Sequence, residues 1–243
     1  MRVVRLVLRG MAAFACATLL IPTVAAAQER VHGNLPEESP YRDIPWRGNV
    51  SVVGGWMFVP SDPAGVSANS GPMFGTRLDL RLAGPLDFSA RLGSVVTDRA
   101  VIDPVRPESE RDLGTTSTPL TFLDLGFALN LTGARTWRSL QPQLRAGIGV
   151  VGDFQAADVG DYRLGTRFSL ALGAGVRWVP EGSRYSLMLD ITDNLFRQRY
   201  PPLYYGDPSI PEGIPPVLES GTAASRWTNN FAITLGAAYH FWR

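Results

Sequence analysis

Ten ionisable residues sit at alternate positions within otherwise apolar stretches: Arg77, Asp79, Arg81, Asp87, Arg91, Asp124, Arg145, Arg167, Arg177 and Asp190. Such a set suits two kinds of chemistry. The charges can pair with one another as a plug, because an unpaired buried charge is costly, or they can line a small passage. Covalent catalysis has less to draw on. It needs a histidine base within reach of a nucleophile, and the only histidines are His32 and His240. His32 falls in a polar arm, and no serine lies near His240 on its own strand face, so a hydrogen-bonding role suits His240 better. No cysteine lies beyond Cys16 and no histidine pair has ligand spacing. Asp153, Asp158 and Asp161 could hold a hard cation, but they match no calcium-loop pattern and read as a solvated loop. No catalytic residue, metal ligand or cofactor is assigned.

The elements that must position these charges are strands, since side chains alternate between the two faces of a strand. The last seventeen residues show the pattern best. Phe231, Ile233, Leu235, Ala237, Tyr239 and Phe241 lie on one face; Ala232, Thr234, Gly236, Ala238, His240 and Trp242 lie on the other. Seven earlier strands are predicted. The first spans Asn49 to Val59, the second is centred on Phe74 to Leu82, and the third starts at Leu86 and runs to about Ile102. The fourth covers Leu123 to Leu131, the fifth Gln143 to Val150, the sixth Arg167 to Trp178 and the seventh Tyr185 to Thr192. All ten charges fall on the face opposite the leucines.

The connections alternate in length. Long ones follow the first, third, fifth and seventh strands: Ser61 to Gly71, a polar loop from Asp103 to Pro119, Asp153 to Gly165, and a proline- and tyrosine-rich stretch over 199–226. Those between are short, as at Gly84-Pro85 and Pro180 to Ser183. An even strand number with this alternation predicts an all-β fold, an eight-stranded antiparallel up-and-down barrel over 48–243.

The chain's start reads as an export signal over 1–27. Arg2, Arg5 and Arg9 precede an apolar run from Met11 to Val24, and Ala25-Ala26-Ala27 supplies a small-residue cleavage site. Residues 28–47, with Pro36, Pro40 and Pro45, read as a flexible arm. After the signal, arginines and acidic residues nearly balance, which argues against nucleic acid as a partner. No later apolar run approaches the roughly 20 residues of a spanning helix.

Charges outside and leucines inside would describe a soluble carrier barrel. The opposite faces of the fifth and sixth strands are rich in glycine, however, which suits a narrow crowded interior better than a surface in water. Aromatic residues also gather near strand ends (Trp56, Phe58, Phe74, Trp178, Tyr185, Tyr239), like the interfacial girdles of membrane barrels. The leucine face is therefore expected to meet lipid and the charged face to fill the lumen. The lumen network is expected to be mostly compensated, with a slight positive excess.

The end of the last strand, Thr234-x-Gly236-x-x-Tyr239-x-Phe241, resembles the C-terminal signal read by the bacterial barrel-assembly machinery. The segment from Gly48 onward resembles the small outer-membrane β-barrel superfamily that includes the outer membrane protein A transmembrane domain. The resemblance implies an outer-membrane location, lipid as surroundings and the assembly machinery as a partner during insertion. With no catalytic constellation in the chain, the expected role is non-enzymatic, structural or binding, through long extracellular loops; 199–226 could be a partner surface or an ordinary stiff loop. Two alternatives stay open. One is a narrow small-solute channel. The other is a lipid A-modifying enzyme, although such enzymes work on the outer leaflet and His240 falls near the periplasmic end.

Overall fold

Strict alternation over eight apolar stretches leaves each strand with one greasy and one polar or small face, and closure into a cylinder separates the two. The computed structural model of the chain describes residues 39–205, 214–218 and 222–242. The export signal and residues 28–38 of the arm lie outside the described residues. Among the described residues there are twelve strands: β1 Tyr41–Asp43, β2 Gly48–Phe58, β3 Gly71–Ala83, β4 Leu86–Val95, β5 Asp98–Ile102, β6 Asp112–Ser117, β7 Leu120–Asn130, β8 Arg135–Trp137, β9 Leu140–Gly152, β10 Arg167–Trp178, β11 Tyr185–Arg199 and β12 Ser225–Phe241.

Eight of these form the barrel, in the ring order β2-β3-β4-β7-β9-β10-β11-β12. Every pair is antiparallel, and β12 closes the ring on β2. Straight across the ladders, Asn49 leads through Asp79, Ser89, Gly126, Gly147, Ala171 and Asn194 to Asn230. Asn49 itself pairs with His240, ten positions further along the same strand. With about 3.3 Å per residue and about 4.8 Å between strands, that stagger tilts the strands by about 40°. A cylinder of this size has an interior that side chains fill.

The leucine face points outward. Leu235 is 66 % exposed and Ile148 59 %, among a continuous outward band of Leu, Val, Ile and Phe. Trp56, Phe58, Phe74, Phe168, Trp227 and Phe231 ring the loop end of this band, and Trp178, Tyr185 and Tyr239 stand at the turn end.

Four expectations need correction. The third strand stops at Val95, because the neighbours that could pair with it end at Gly71 and Leu120. Residues 98–102 instead pair with Asp112–Ser117 as a separate hairpin, so part of the expected polar loop 103–119 is strand. The seventh strand continues past Thr192 to Arg199, pairing with β12 as far as Ser225. Outward Asp193, Arg197 and Arg199 break the expected hydrophobic rhythm, because this hairpin extends above the apolar band.

The described part of the arm is held against the barrel. β1 pairs with β8 across the turn end, Ile44 N donates to Ala134 O at 2.9 Å, and Arg47 N donates to Trp242 O at 2.7 Å. Ile44 and Trp46 bury against Val179, with the Arg184 guanidinium 4.6 Å from the Trp46 ring centroid. Apolar side chains inside a polar stretch supply this anchor.

Candidate functional site

The barrel interior is layered along its axis. Its middle is an ion-pair lattice built by β3, β4, β7, β9, β10 and β11. Asp79 is the hub: its carboxylate accepts from Arg177 Nη2 at 2.7 Å, Arg145 Nη1 at 3.2 Å and Ser89 Oγ at 2.7 Å. Asp190 accepts from Arg77 at 2.8 Å and lies 3.4 Å from Arg145 Nε, so Arg145 bridges the two aspartates. Arg91 grips one oxygen of Asp124 with Nε at 2.9 Å and Nη2 at 2.6 Å, and also donates to Asn194.

Glycines make room for this lattice. Asp124 faces Gly149 on the next strand and Asp190 faces Gly175. A Cβ on Gly175 would stand 2.1 Å from Asp190 Oδ1, and one on Gly149 would stand 2.4 Å from Asp124 Oδ1. The small face of β9 and β10 is thus the space that the charged side chains of their neighbours occupy.

At the turn end, Arg81 Nε and Asp87 Oδ1 are 4.0 Å apart, and Arg81 Nη1 donates to Ile44 O of the arm. His240 also faces this region. Its Nε2 lies 2.8 Å from Ser186 Oγ on the adjacent strand. Reading His240 along its own strand missed this diagonal neighbour, which only the β11–β12 register reveals. The pair has the spacing of a nucleophile and its base, but no carboxylate orients the ring. The cavity that His240 lines with Arg81, Asp87 and Gln141 is about 10 Å³, roughly enough for one water.

Nine of the ten predicted lumen charges are therefore in ion pairs. Arg167 is not. It stands at the loop-end start of β10, half-buried, and its Nε has no hydrogen-bond partner among the described residues.

The loop half of the lumen was not anticipated as a distinct layer. Met57, Met73, Val95, Leu120, Phe122, Val151, Phe196 and Ala232 point inward and pack with Leu164, which dips in from the loop between β9 and β10. Each sits at the loop end of its strand. Weak alternation in the first strand (Val53 and Met57 opposite Trp56 and Phe58) was the available signal.

Above this plug the four long loops fold together. Tyr162, Tyr200 and Tyr204 pack with Ala64, Val66 and Leu218, the rings 6.3–6.5 Å apart. The Arg99 guanidinium lies 5.0 Å from the Tyr162 ring centroid and pairs with Asp158 at 2.6 Å. Gln198 Nε2 donates to Asp62 at 2.9 Å and to the Tyr162 hydroxyl at 3.2 Å, and Arg111 Nη2 donates to Pro215 O at 2.9 Å. Burial pushes the Tyr200 phenol up to about 12, and it raises Tyr162 and Tyr204 as well.

Two of the three loop aspartates considered for a cation have other work. Asp158 serves Arg99 and the Gly160 and Tyr162 amides, and Asp153 accepts from the Leu164 and Gly165 amides. The loop is thus tied down rather than solvated. Among the described residues no cluster has the makings of a metal site.

The segment Thr234, Gly236, Tyr239 and Phe241 forms the closing edge of the ring. Tyr239 faces outward and pairs with Val50, while Phe241 pairs with Gly48.

No protein-family model matches the chain. No curated protein matches it either. Among solved structures, it is similar to Neisserial surface protein A at 13 % identity over 80 % of this chain and 97 % of that one, with a TM-score of 0.48. It is similar to the N-terminal β-barrel domain of Pseudomonas aeruginosa OprF at 12 % identity over 81 % and 98 %, with a TM-score of 0.44. The outer membrane protein OprG of Pseudomonas aeruginosa is similar at 14 % identity over 81 % and 98 %, with the same score. These are likenesses of backbone path alone.

Proposed function

We propose that this chain is an outer-membrane barrel protein, non-enzymatic, that acts through its loop end and carries no solute through its lumen. The observation that carries this reading is the contrast between its two surfaces. The outside is a belt of exposed leucine and valine bounded by aromatic girdles, which lipid would cover. Inside, the arm at the turn end, the ion pairs of the middle and the apolar side chains beneath the loops lie in series along the axis, which supports a lumen that passes no solute. A spanning sheet must close on itself because lipid cannot satisfy its backbone, and this one does. The described face of loop 199–226 contributes Tyr200, Tyr204 and Leu218 to the cap, so the partner surface belongs to the four loops together.

Planar-bilayer recording tests the closed lumen. The reconstituted mature protein is expected to give no conductance steps; discrete steps abolished by Arg81→Gln or Arg145→Gln would establish the narrow channel instead. Detergent dependence tests the membrane reading. A mature protein that stays monomeric and folded in plain buffer would reinstate the soluble carrier. The enzymatic alternative predicts a change in lipid A acyl chains that disappears in His240→Ala, and no such change is expected.

A further inference from the structure

The middle of the lumen holds more cations than anions. Arg77, Arg91, Arg145 and Arg177 meet only Asp79, Asp124 and Asp190 there. Each aspartate already has an arginine of its own: Arg177 on Asp79 at 2.7 Å, Arg91 on Asp124 at 2.6 Å and Arg77 on Asp190 at 2.8 Å. Arg145 is the surplus. It lies 3.2 Å from Asp79 and 3.4 Å from Asp190, and its buried Nε makes no hydrogen bond among the described residues. Lying between two carboxylates spreads the extra charge without cancelling it, and an uncompensated charge inside a protein is costly. A cavity of about 40 Å³ lies against this surplus, with Arg77, Arg91 and Arg145 among its walls. Gly126, Gly147 and Ala171 pair across three strands and leave the space, because none carries a side chain beyond Cβ. Roughly 10–15 Å³ suffices for one water, so a halide ion with water beside it has room. Asp124 also lines the cavity. Arg91 holds its Oδ2 with two N–H groups and Ser169 donates to its Oδ1, so that pair is neutral as a unit and Arg145 sets the sign of the cavity.

We infer that this cavity binds one monovalent anion of halide size, with Arg145 as its principal partner and Arg77 and Arg91 beside it. A guanidinium carries more N–H groups than the contacts above use, so donors remain for the ion. A single negative charge makes the middle lattice neutral, and Arg81 with Asp87 is already a balanced pair at the turn end. The anion is held as part of the plug and is not carried across. This inference rests on the closed-lumen reading above.

The test uses the mature protein folded into phosphatidylcholine vesicles and unfolded by urea at constant ionic strength, with sodium gluconate replaced stepwise by sodium chloride or bromide. An anion that binds only the folded barrel raises the folded-to-unfolded ratio, by about tenfold once it reaches about ten times its dissociation constant. Chloride and bromide should both give this rise over gluconate. Arg145→Gln, which removes the surplus, should abolish it. So should Ala171→Leu, which fills the cavity and leaves every charge in place. In crystals of the unaltered protein soaked in bromide, an anomalous peak should lie in the lumen beside Arg145. Equal ratios in gluconate and halide, or a bromide map without that peak, would overturn the inference. A rise that persists in both variants would overturn it too, by assigning the effect to the surface. A lumen peak with no halide-dependent rise would mean an adventitious ion only, and would count equally against it. None of these results touches the closed-lumen reading. Chloride-carrying steps in a planar bilayer would defeat that reading, and the inference with it.

Discussion

Removing the Asp79 carboxylate should destabilise the barrel far more than breaking the stretched pair of Arg81 and Asp87. Asp79 is fully buried and neutralises two guanidinium groups at once. In Asp79→Ala, Arg145 keeps Asp190 at 3.4 Å, but the remaining side-chain contact of Arg177 is Asn49 at 3.5 Å. An orphaned buried charge of this kind costs about 3–5 kcal/mol. Arg81→Gln is the milder comparison: its pair with Asp87 is stretched to 4.0 Å and its side chain is 17 % exposed, so less attraction is lost there than at Asp79. The double change Asp79→Ala/Arg177→Gln should recover part of the loss, because it removes the orphan along with its partner. Urea unfolding in phosphatidylcholine vesicles, followed by tryptophan fluorescence, measures all three midpoints. The account of the lumen as a charge-compensated plug is refuted if Asp79→Ala lies within about 1 kcal/mol of the unaltered protein, or if Arg81→Gln costs as much.

Four further outcomes are expected. Gly175→Ala should cost about 2–4 kcal/mol in the same unfolding assay, since the new Cβ would drive Asp190 off Arg77; a neutral effect would mean the lattice tolerates repositioning. Leu235→Arg, at an outward site 66 % exposed, should cost about 2–4 kcal/mol in lipid, and a neutral result would place that face in water. The cap should loosen in alkali: with the Tyr200 phenol raised to about 12 when folded against about 10 unfolded, its contribution is whole below pH 10 and lost as pH rises through 12. Protease cutting within the loops should therefore rise over that window while the strands resist, and unchanged loop protection at pH 12 would count against a buried tyrosine cap. Replacing residues 201–224 by a short glycine-serine linker should leave bilayer conductance at zero, because Met57, Met73, Leu120 and Phe122 remain as a plug beneath the lost loop.

The barrel was legible because its two faces differ at every second residue. Leu78 and Leu80 beside Arg77 and Asp79 admit one arrangement, and the small residues opposite the leucines of β10 showed which side was crowded. Legibility ended where the rhythm did. From Asp193 to Arg199 outward polar residues replace leucines, since that part of β11 stands above the apolar band. The hairpin of β5 and β6 carries little hydrophobic signal, because β6 is almost wholly exposed. The membership of the lumen network was readable from parity alone, but its partners were not. Arg91 with Asp124, or Arg77 with Asp190, depends on registers across strands distant in sequence. For the same reason Ser186 went unnoticed beside His240. The apolar plug was hidden because a methionine or valine on the inward face of one strand gains meaning only when seven others place theirs at the same height.

Six arginines against four aspartates leaves an excess of positive charge inside the barrel, and its placement explains how the fold tolerates it. In the middle of the lumen the surplus is shared rather than stranded, because Arg145 lies between two carboxylates and also donates to Gln143. At the turn end Arg81 retains partial access to solvent and a carbonyl of the arm. Among the described residues only Arg167 has no such relief, and it stands on the inward face at the loop-end start of β10, across from Val151. Charge that cannot be balanced inside is displaced to the two ends.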